Sequence, residues 1–132
     1  MKLIQGLTIS LLMLSVLICT PLVKASTVTE ALDALAELRS ETEALTFTGV
    51  NAEQDRAFLL RKLDSAKLAV NQARFCKAVK DLQDFNAHME KLDREGQLQR
   101  DGVTVHNRLV GYSLALGVIN DLITQSGVTC KP

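Results

Sequence analysis

The sequence is poor in the residues and motifs by which catalytic sites are usually recognised. It has no tryptophan, one tyrosine, two histidines and three cysteines in 132 residues. It also contains no G-x-S-x-G element, no glycine-rich phosphate loop, no C-x-x-C pair and no c-type haem signature. These absences leave no recognisable basis for acyl-transfer, nucleotide or redox chemistry. We therefore expect a protein without enzymatic activity and without a cofactor.

An excess of charge of either sign is also lacking. The chain has 15 Lys and Arg against 15 Asp and Glu. Without residues 1–25, which include Lys2 and Lys24, the balance is 13 against 15, a net charge of −2. Both signs alternate along the sequence, which is typical of solvated helix surfaces and argues against nucleic acid or anionic lipid as a partner.

Residues 1–25 have the three parts of a secretory signal peptide. Lys2 supplies a positive start, Leu3–Leu22 form an almost uncharged apolar run, and Ala25 completes a suitable cleavage site. We expect cleavage after Ala25 and a secreted or periplasmic protein.

This segment has two other interpretations. About twenty apolar residues can also anchor a chain in a bilayer, but Pro21 and the cleavage site favour removal. A lipoprotein would use Cys19, and the bulky isoleucine before it is a poor match to such sites. The mature chain, residues 26–132, is then one domain that does not span a membrane.

Removal of Cys19 leaves two cysteines, Cys76 and Cys130. They form the only possible intrachain pair, and an oxidising exported setting favours a disulfide over two free thiols. A disulfide would also exclude Cys76 as a nucleophile.

Four helices are predicted in the mature chain. Thr27 and Glu30 form a capping-box pattern at the start of the first, and Asn51 with Gln54 form one at the start of the second, which runs from about Ala52 to Asn71. The third helix follows a joint near residues 71–74 and has an apolar stripe at spacings of three and four. That stripe contains Phe75, Ala78, Val79, Leu82, Phe85, Met89 and Leu92.

The joint between the second and third helices carries neither glycine nor proline. One helix from Ala52 to Leu92 would be about 60 Å long, too long for a domain with a radius of gyration of about 13 Å. A turn is therefore expected.

The fourth helix, from about Val103 to Thr124, is the most apolar and is expected to be the most buried. Gly111 and Gly117 inside it predict close approach of a neighbouring helix, and Gly127 ends it. One face is expected to contain Val105, Leu109, Tyr112, Leu116, Ile119 and Ile123, with Val110, Leu114, Val118 and Leu122 beside it. Four helices with short connections predict an all-α fold, an antiparallel four-helix bundle.

Two segments resemble the FIMAH domain, a small helical domain at the ends of many exported bacterial proteins. Leu59–Ala66, LLRKLDSA, is similar to the family's LLAKLDAA run, and Cys76–Phe85, CKAVKDLQDF, to its C-A-x-x-x-L-x-x-F run. The late helix also fits, through Tyr112, Ala115, Ile119 and the following Cys130. The resemblance implies a helical bundle and supports the disulfide, and it transfers no catalytic or ligand-binding residues. We expect this chain to differ from the family in standing alone after its signal peptide, with no enzyme attached.

Candidate binding residues lie in the two connections at one end of the bundle, since recognition residues are often on loops. They are Phe47 and Val50 between the first two helices, and Arg94 and Arg100 between the last two. The alternative for Phe47, with Val50 beside it, is a plug that tucks into the bundle end.

A metal site is not expected, and its weak candidates are Asp84 and His88, one helical turn apart. A usable site needs three or four ligands, and an ordinary surface pair explains these two residues.

The function expected from the sequence is that of an exported, non-enzymatic binding protein, with a small inhibitor or immunity-type protein as one form. Its partner would be a protein or a component of the cell envelope. The alternative is a carrier of a small ligand or metal, which would use the bundle interior or the Asp84–His88 pair.

Overall fold

Four helices account for most of the chain in a computed structural model that describes residues 25–99 and 102–132, the side chains of 102–106 excepted. They are α1 (Val28–Glu43), α2 (Ala52–Asn71), α3 (Phe75–Arg94) and α4 (Gly102–Ser126). Each helix packs against the next, and α4 packs against α1. The predicted antiparallel four-helix bundle is confirmed. The predicted signal peptide and its cleavage lie outside the described residues, except for Ala25.

The start of α1 agrees with the sequence, whereas the predicted cap of α2 is wrong. Thr27 Oγ1 accepts a hydrogen bond from the Glu30 amide at 3.2 Å. Asn51 precedes α2 but makes no capping hydrogen bond with its side chain. Its backbone, at φ −102° and ψ 28°, is held in a turn in which the Ala52 amide bonds to the Gly49 carbonyl at 3.2 Å. A capping side chain needs an extended backbone instead.

The turn between α2 and α3 falls where the sequence places it. Ala73 has a left-handed φ of 55°, and its amide bonds to the Val70 carbonyl at 3.0 Å. The Arg74 amide bonds to the Ala69 carbonyl at 2.7 Å. This is the Schellman arrangement, with alanine at the position usually held by glycine.

The end of α3 has the same arrangement with the usual residue. Gly96 has a φ of 67°, its amide bonds to the Asp93 carbonyl at 3.2 Å, and the Gln97 amide bonds to the Leu92 carbonyl at 2.9 Å. Gly96 therefore ends α3, and Gly127, with a φ of 70°, follows the end of α4 as expected.

The core lies along the common axis of the four helices. Its apolar side chains recur at spacings of three and four on each helix, and those of α3 match the predicted stripe except that Phe75 and Val79 are half-buried. The largest side chains with less than 2% exposure include Leu35, Leu38, Leu59, Leu63, Leu82, Phe85, Met89 and Ile119.

The disulfide between Cys76 and Cys130 joins the first turn of α3 to the tail that follows α4. The two Cα atoms are 5.4 Å apart, within the range usual for disulfides. The predicted pairing is confirmed.

The two glycines inside α4 differ from each other. A Cβ atom at Gly111 would lie 2.9 Å from Glu41 Oε2 and 3.4 Å from Leu38 Cδ1, whereas one at Gly117 would meet nothing within 4 Å. Close approach is therefore confirmed at Gly111 and wrong at Gly117.

Candidate functional site

The connections that follow α1 and α3 meet at one end of the bundle, which we call the loop end. Phe47 and Leu98 form an isolated antiparallel bridge. The Thr48 amide donates to the Gln97 carbonyl at 3.0 Å, and the Gln99 amide donates to the Thr46 carbonyl at 3.0 Å. The two connections therefore brace each other.

Phe47 is buried in this end, with 9% of its surface exposed. The Arg56 guanidinium lies 5.2 Å from the centre of its ring, and Arg56 Nη2 donates to the Leu45 carbonyl at 3.1 Å. Phe47 is thus the plug of the alternative interpretation, and its ring is not available to a partner.

The remaining predicted binding residues do not form a site with Phe47. Val50 is 100% exposed, so the expectation that it tucks in is wrong, because it lies in the tight turn that leads into α2. Arg94 is exposed at the last residue of α3. Arg100 lies outside the described residues.

Asp84 and His88 point to different partners. Lys62 Nζ donates to Asp84 Oδ2 at 2.9 Å, and this bond lowers the pKa of Asp84 against a smaller opposing effect of burial. His88 Nε2 lies 3.0 Å from Asp55 Oδ1, and its ring centre lies 4.5 Å from that of Phe58. Both residues thus tie α3 to α2. In the part of the chain that the structure describes, no group of three or more potential ligands is arranged to hold a metal ion.

Two buried charged residues also serve the packing of the helices. Asp81 is 5% exposed and accepts hydrogen bonds from Ser65 Oγ at 2.7 Å and Lys77 Nζ at 2.9 Å. Arg108 of α4 is 7% exposed, and burial lowers its pKa although the charges of Glu90 and Asp93 oppose this shift.

Three large apolar side chains on the outer face of α4 are exposed to solvent. Leu109, Val110 and Leu114 are 49%, 52% and 51% exposed. The core residues of this helix are instead Ala115, Ile119 and Leu122. The predicted burial of Leu109 is therefore wrong, and so is the expectation that this most apolar helix is the most buried. Helix α4 is apolar on two faces, and the other helices cover only one of them.

A groove lies between the outer face of α4 and the neighbouring side of α1. Its volume is about 240 Å³. We call it the α1–α4 groove, and its lining residues are Glu37, Glu41, Asn107, Val110, Gly111 and Leu114.

Glu41 is the unusual group in this groove. Its Oε2 atom is buried, and no described residue donates a hydrogen bond to it. Burial raises the pKa of this carboxyl, and the charge of Glu37 raises it further. The absence of a side chain at Gly111 allows the carboxylate to approach α4, since a Cβ there would lie 2.9 Å from Oε2. The groove therefore holds a carboxylate whose negative charge the described residues do not compensate.

The charges around the groove are predominantly negative. Helix α1 carries five acidic residues and one basic residue, Arg39. Arg39 bonds to Asp64 of α2 at 2.9 Å and also to Glu43, so it lies on the other side of α1. No lysine or arginine is among the described residues that line the groove.

The sequence does not reveal this groove, because the apolar residues around α4 predict that most of this helix is buried. The signal that could have shown it is the uncharged run from Leu109 to Asn120, which is too uniformly apolar for a helix with one solvated face.

Comparisons with models of protein families, with curated proteins and with solved structures gave no match to this chain. The resemblance to the FIMAH domain therefore stays a prediction. None of the helices in the described part of the chain has the length and apolar character required to cross a bilayer.

Proposed function

We propose that this protein is an exported, non-enzymatic binding protein that acts on a protein partner outside the cytoplasm. The observation that carries the proposal is the outer face of α4, where Leu109, Val110 and Leu114 are each about half exposed. Scattered single apolar residues are normal on a surface, but a group on one element is typical of a protein interface.

The scaffold suits this role because it is braced at both ends. The disulfide fastens the tail after α4 to the start of α3, and the two connections at the loop end bond to each other. A surface on such a scaffold loses little conformational entropy when a partner binds. A small inhibitor or immunity-type protein is one form of this function, because such a protein needs a rigid surface and no chemistry of its own.

A ligand carrier has less support. Large side chains such as Phe85 and Met89 fill the bundle interior at less than 2% exposure, and the Asp84–His88 pair is engaged elsewhere. We therefore do not propose this alternative.

The test is capture of a partner from the cell-envelope and secreted fractions of the source cells. The protein is produced from the full chain, and its N-terminal residue is determined by mass spectrometry. The matched control is a Val50→Asp, Leu114→Glu double variant, which charges both exposed surfaces without touching the core. We expect one protein to co-elute with the wild type at a fixed ratio and to be absent from the control. The proposed function is wrong if no protein is retained in this way.

A further inference from the structure

We propose that the α1–α4 groove binds a cationic, amphipathic helical segment of the partner protein. This inference rests on the proposed function and adds the place and the chemistry of binding. Two features of the groove support it, namely the exposed apolar side chains of α4 and the excess of acidic residues on α1.

The apolar wall of the groove is formed by Val110 and Leu114 of α4. They are four residues apart, so they lie one above the other on the helix surface, and both line the groove. Each leaves about half of its surface in water. An apolar side chain inserted between α1 and α4 would cover them together.

The acidic wall of the groove is formed by Glu41 and Glu37 of α1. Glu41 Oε2 is buried and receives no hydrogen bond from a described residue, and a buried acceptor without a donor is costly. A lysine or arginine from a partner would supply the missing donor and would also oppose the charge of Glu37. Hydrogen bonds of this charged kind are stronger than neutral ones.

The basic residues that form ion pairs on α2 and α3, in the described part of the chain, lie on another side of the bundle. Lys62 of α2 bonds to Asp84 of α3, and Lys77 bonds to Asp81 within α3. Because the described lining of the groove includes two glutamates and no lysine or arginine, its electrostatic complement is a positive partner. A negative lipid surface would be repelled by the same charges.

The shape of the site favours a helix. A groove between two packed helices accepts a third helix whose side chains enter it at spacings of three and four. A segment with leucine-like residues at that spacing and lysine or arginine beside them matches Val110 and Leu114 on one wall and Glu37 and Glu41 on the other.

The test uses a synthetic helical peptide of about 18 residues, or five turns. It has leucines at spacings of three and four and lysines elsewhere, and its counterpart has glutamate in place of every lysine. Binding to the protein produced from the full chain is measured by fluorescence anisotropy at two salt concentrations. We expect the lysine peptide to bind more weakly at high salt, and the glutamate peptide not to bind.

Single variants locate the site. Glu41→Gln should weaken binding about tenfold, because one charged hydrogen bond is lost. Leu114→Ser should weaken it about fivefold through lost apolar burial. Glu53→Gln on α2 removes the same charge from an exposed site away from the groove, and it should not change the affinity.

Three results would overturn the proposal. The first is no binding of the lysine peptide, and the second is equal binding by Glu41→Gln and Glu53→Gln. The third is a wild-type dimer that Leu114→Ser dissociates, since a second copy would then occupy the groove. These results are distinct from failure of the proposed function, because they do not depend on whether the capture experiment finds a natural partner.

Discussion

Removal of the disulfide by a Cys130→Ser change should destabilise the protein strongly. The bond closes a loop with a sequence separation of 54 residues, and this loop contains nearly all of α3 and the whole of α4. Without the bond, Cys76 and Cys130 are free to move apart in the unfolded chain, which gains conformational entropy. The folded state loses little, because the tail after α4 has no regular secondary structure.

The size of the effect follows from loop-closure entropy. For a loop of this length the chain-entropy model gives about 4 kcal/mol of stabilisation at 25 °C. Unfolding entropy is about 2.1 cal/mol/K per residue, so a domain of roughly 100 residues shifts its Tm by about 5 °C for each kcal/mol. We therefore expect the Tm of Cys130→Ser to fall by about 20 °C in oxidising buffer.

Thermal unfolding followed by circular dichroism measures this shift, with guanidinium titration as a second measure. Cys76→Ser and the double variant should give the same loss, because all three lack the same bond. Reductant should lower the wild type to the level of the variants and leave them unchanged. Lys131→Ala, an exposed neighbour of Cys130, is the matched control and should be neutral. A Tm for Cys130→Ser equal to that of the wild type would refute the reasoning.

Two further predictions concern the stability of the fold, one at the left-handed residues that end α2 and α3, and one at Glu41. Ala73→Gly should stabilise the protein by about 1 kcal/mol, because a left-handed backbone costs alanine more than glycine, and Gly96→Ala should destabilise it by a similar amount. Chemical denaturation of both variants checks this. Destabilisation by Ala73→Gly, or stabilisation by Gly96→Ala, would contradict the Schellman assignment. Glu41→Gln should raise the unfolding free energy at pH 7 by up to about 1 kcal/mol. Because the folded state raises the pKa of Glu41 above its ordinary value of 4.5, the charge destabilises the fold only above that region. The advantage of Glu41→Gln should therefore disappear as the pH is lowered below about 4, and an advantage independent of pH would point to another cause.

Helix α2 shows which features of a helix can be predicted from the sequence and which cannot. The period of the apolar residues and the length limit of a small domain place its boundaries at Ala52 and Asn71, as found. The sequence does not predict how α2 ends, because Ala73 adopts the left-handed backbone conformation that glycine usually adopts at this position. At Asn51 the opposite occurs, since the residue type suggests a cap but the preceding turn fixes an unsuitable backbone. Local residue preference predicts the element, and tertiary context decides its terminal hydrogen bonds.

Helix α4 shows why the candidate site was harder to predict than the fold. Periodicity identifies a helix from the repeat of its apolar residues, but it cannot choose between two apolar faces. Ala115 and Ile119 take the core because small and branched side chains suit the close packing of α4 in the bundle. Leu109 and Leu114 are then left outside. The choice depends on the packing of four helices together, which no single window of sequence contains.

Glu41 connects stability to the proposed binding. A carboxylate with a buried oxygen and no described donor lies against a glycine that allows its approach. This arrangement conflicts with ordinary packing rules, and such conflicts are expected at functional sites. The same Glu41→Gln change should therefore make the isolated protein more stable and its complex with the lysine peptide weaker. A purely structural role of Glu41 predicts no effect on the complex, and a purely electrostatic surface role predicts no gain in stability. Only the two effects together support a carboxylate that lacks a donor in the free protein and receives one from a cationic partner. Stability and binding measurements on this one variant therefore distinguish the binding role from the structural role and from the surface role.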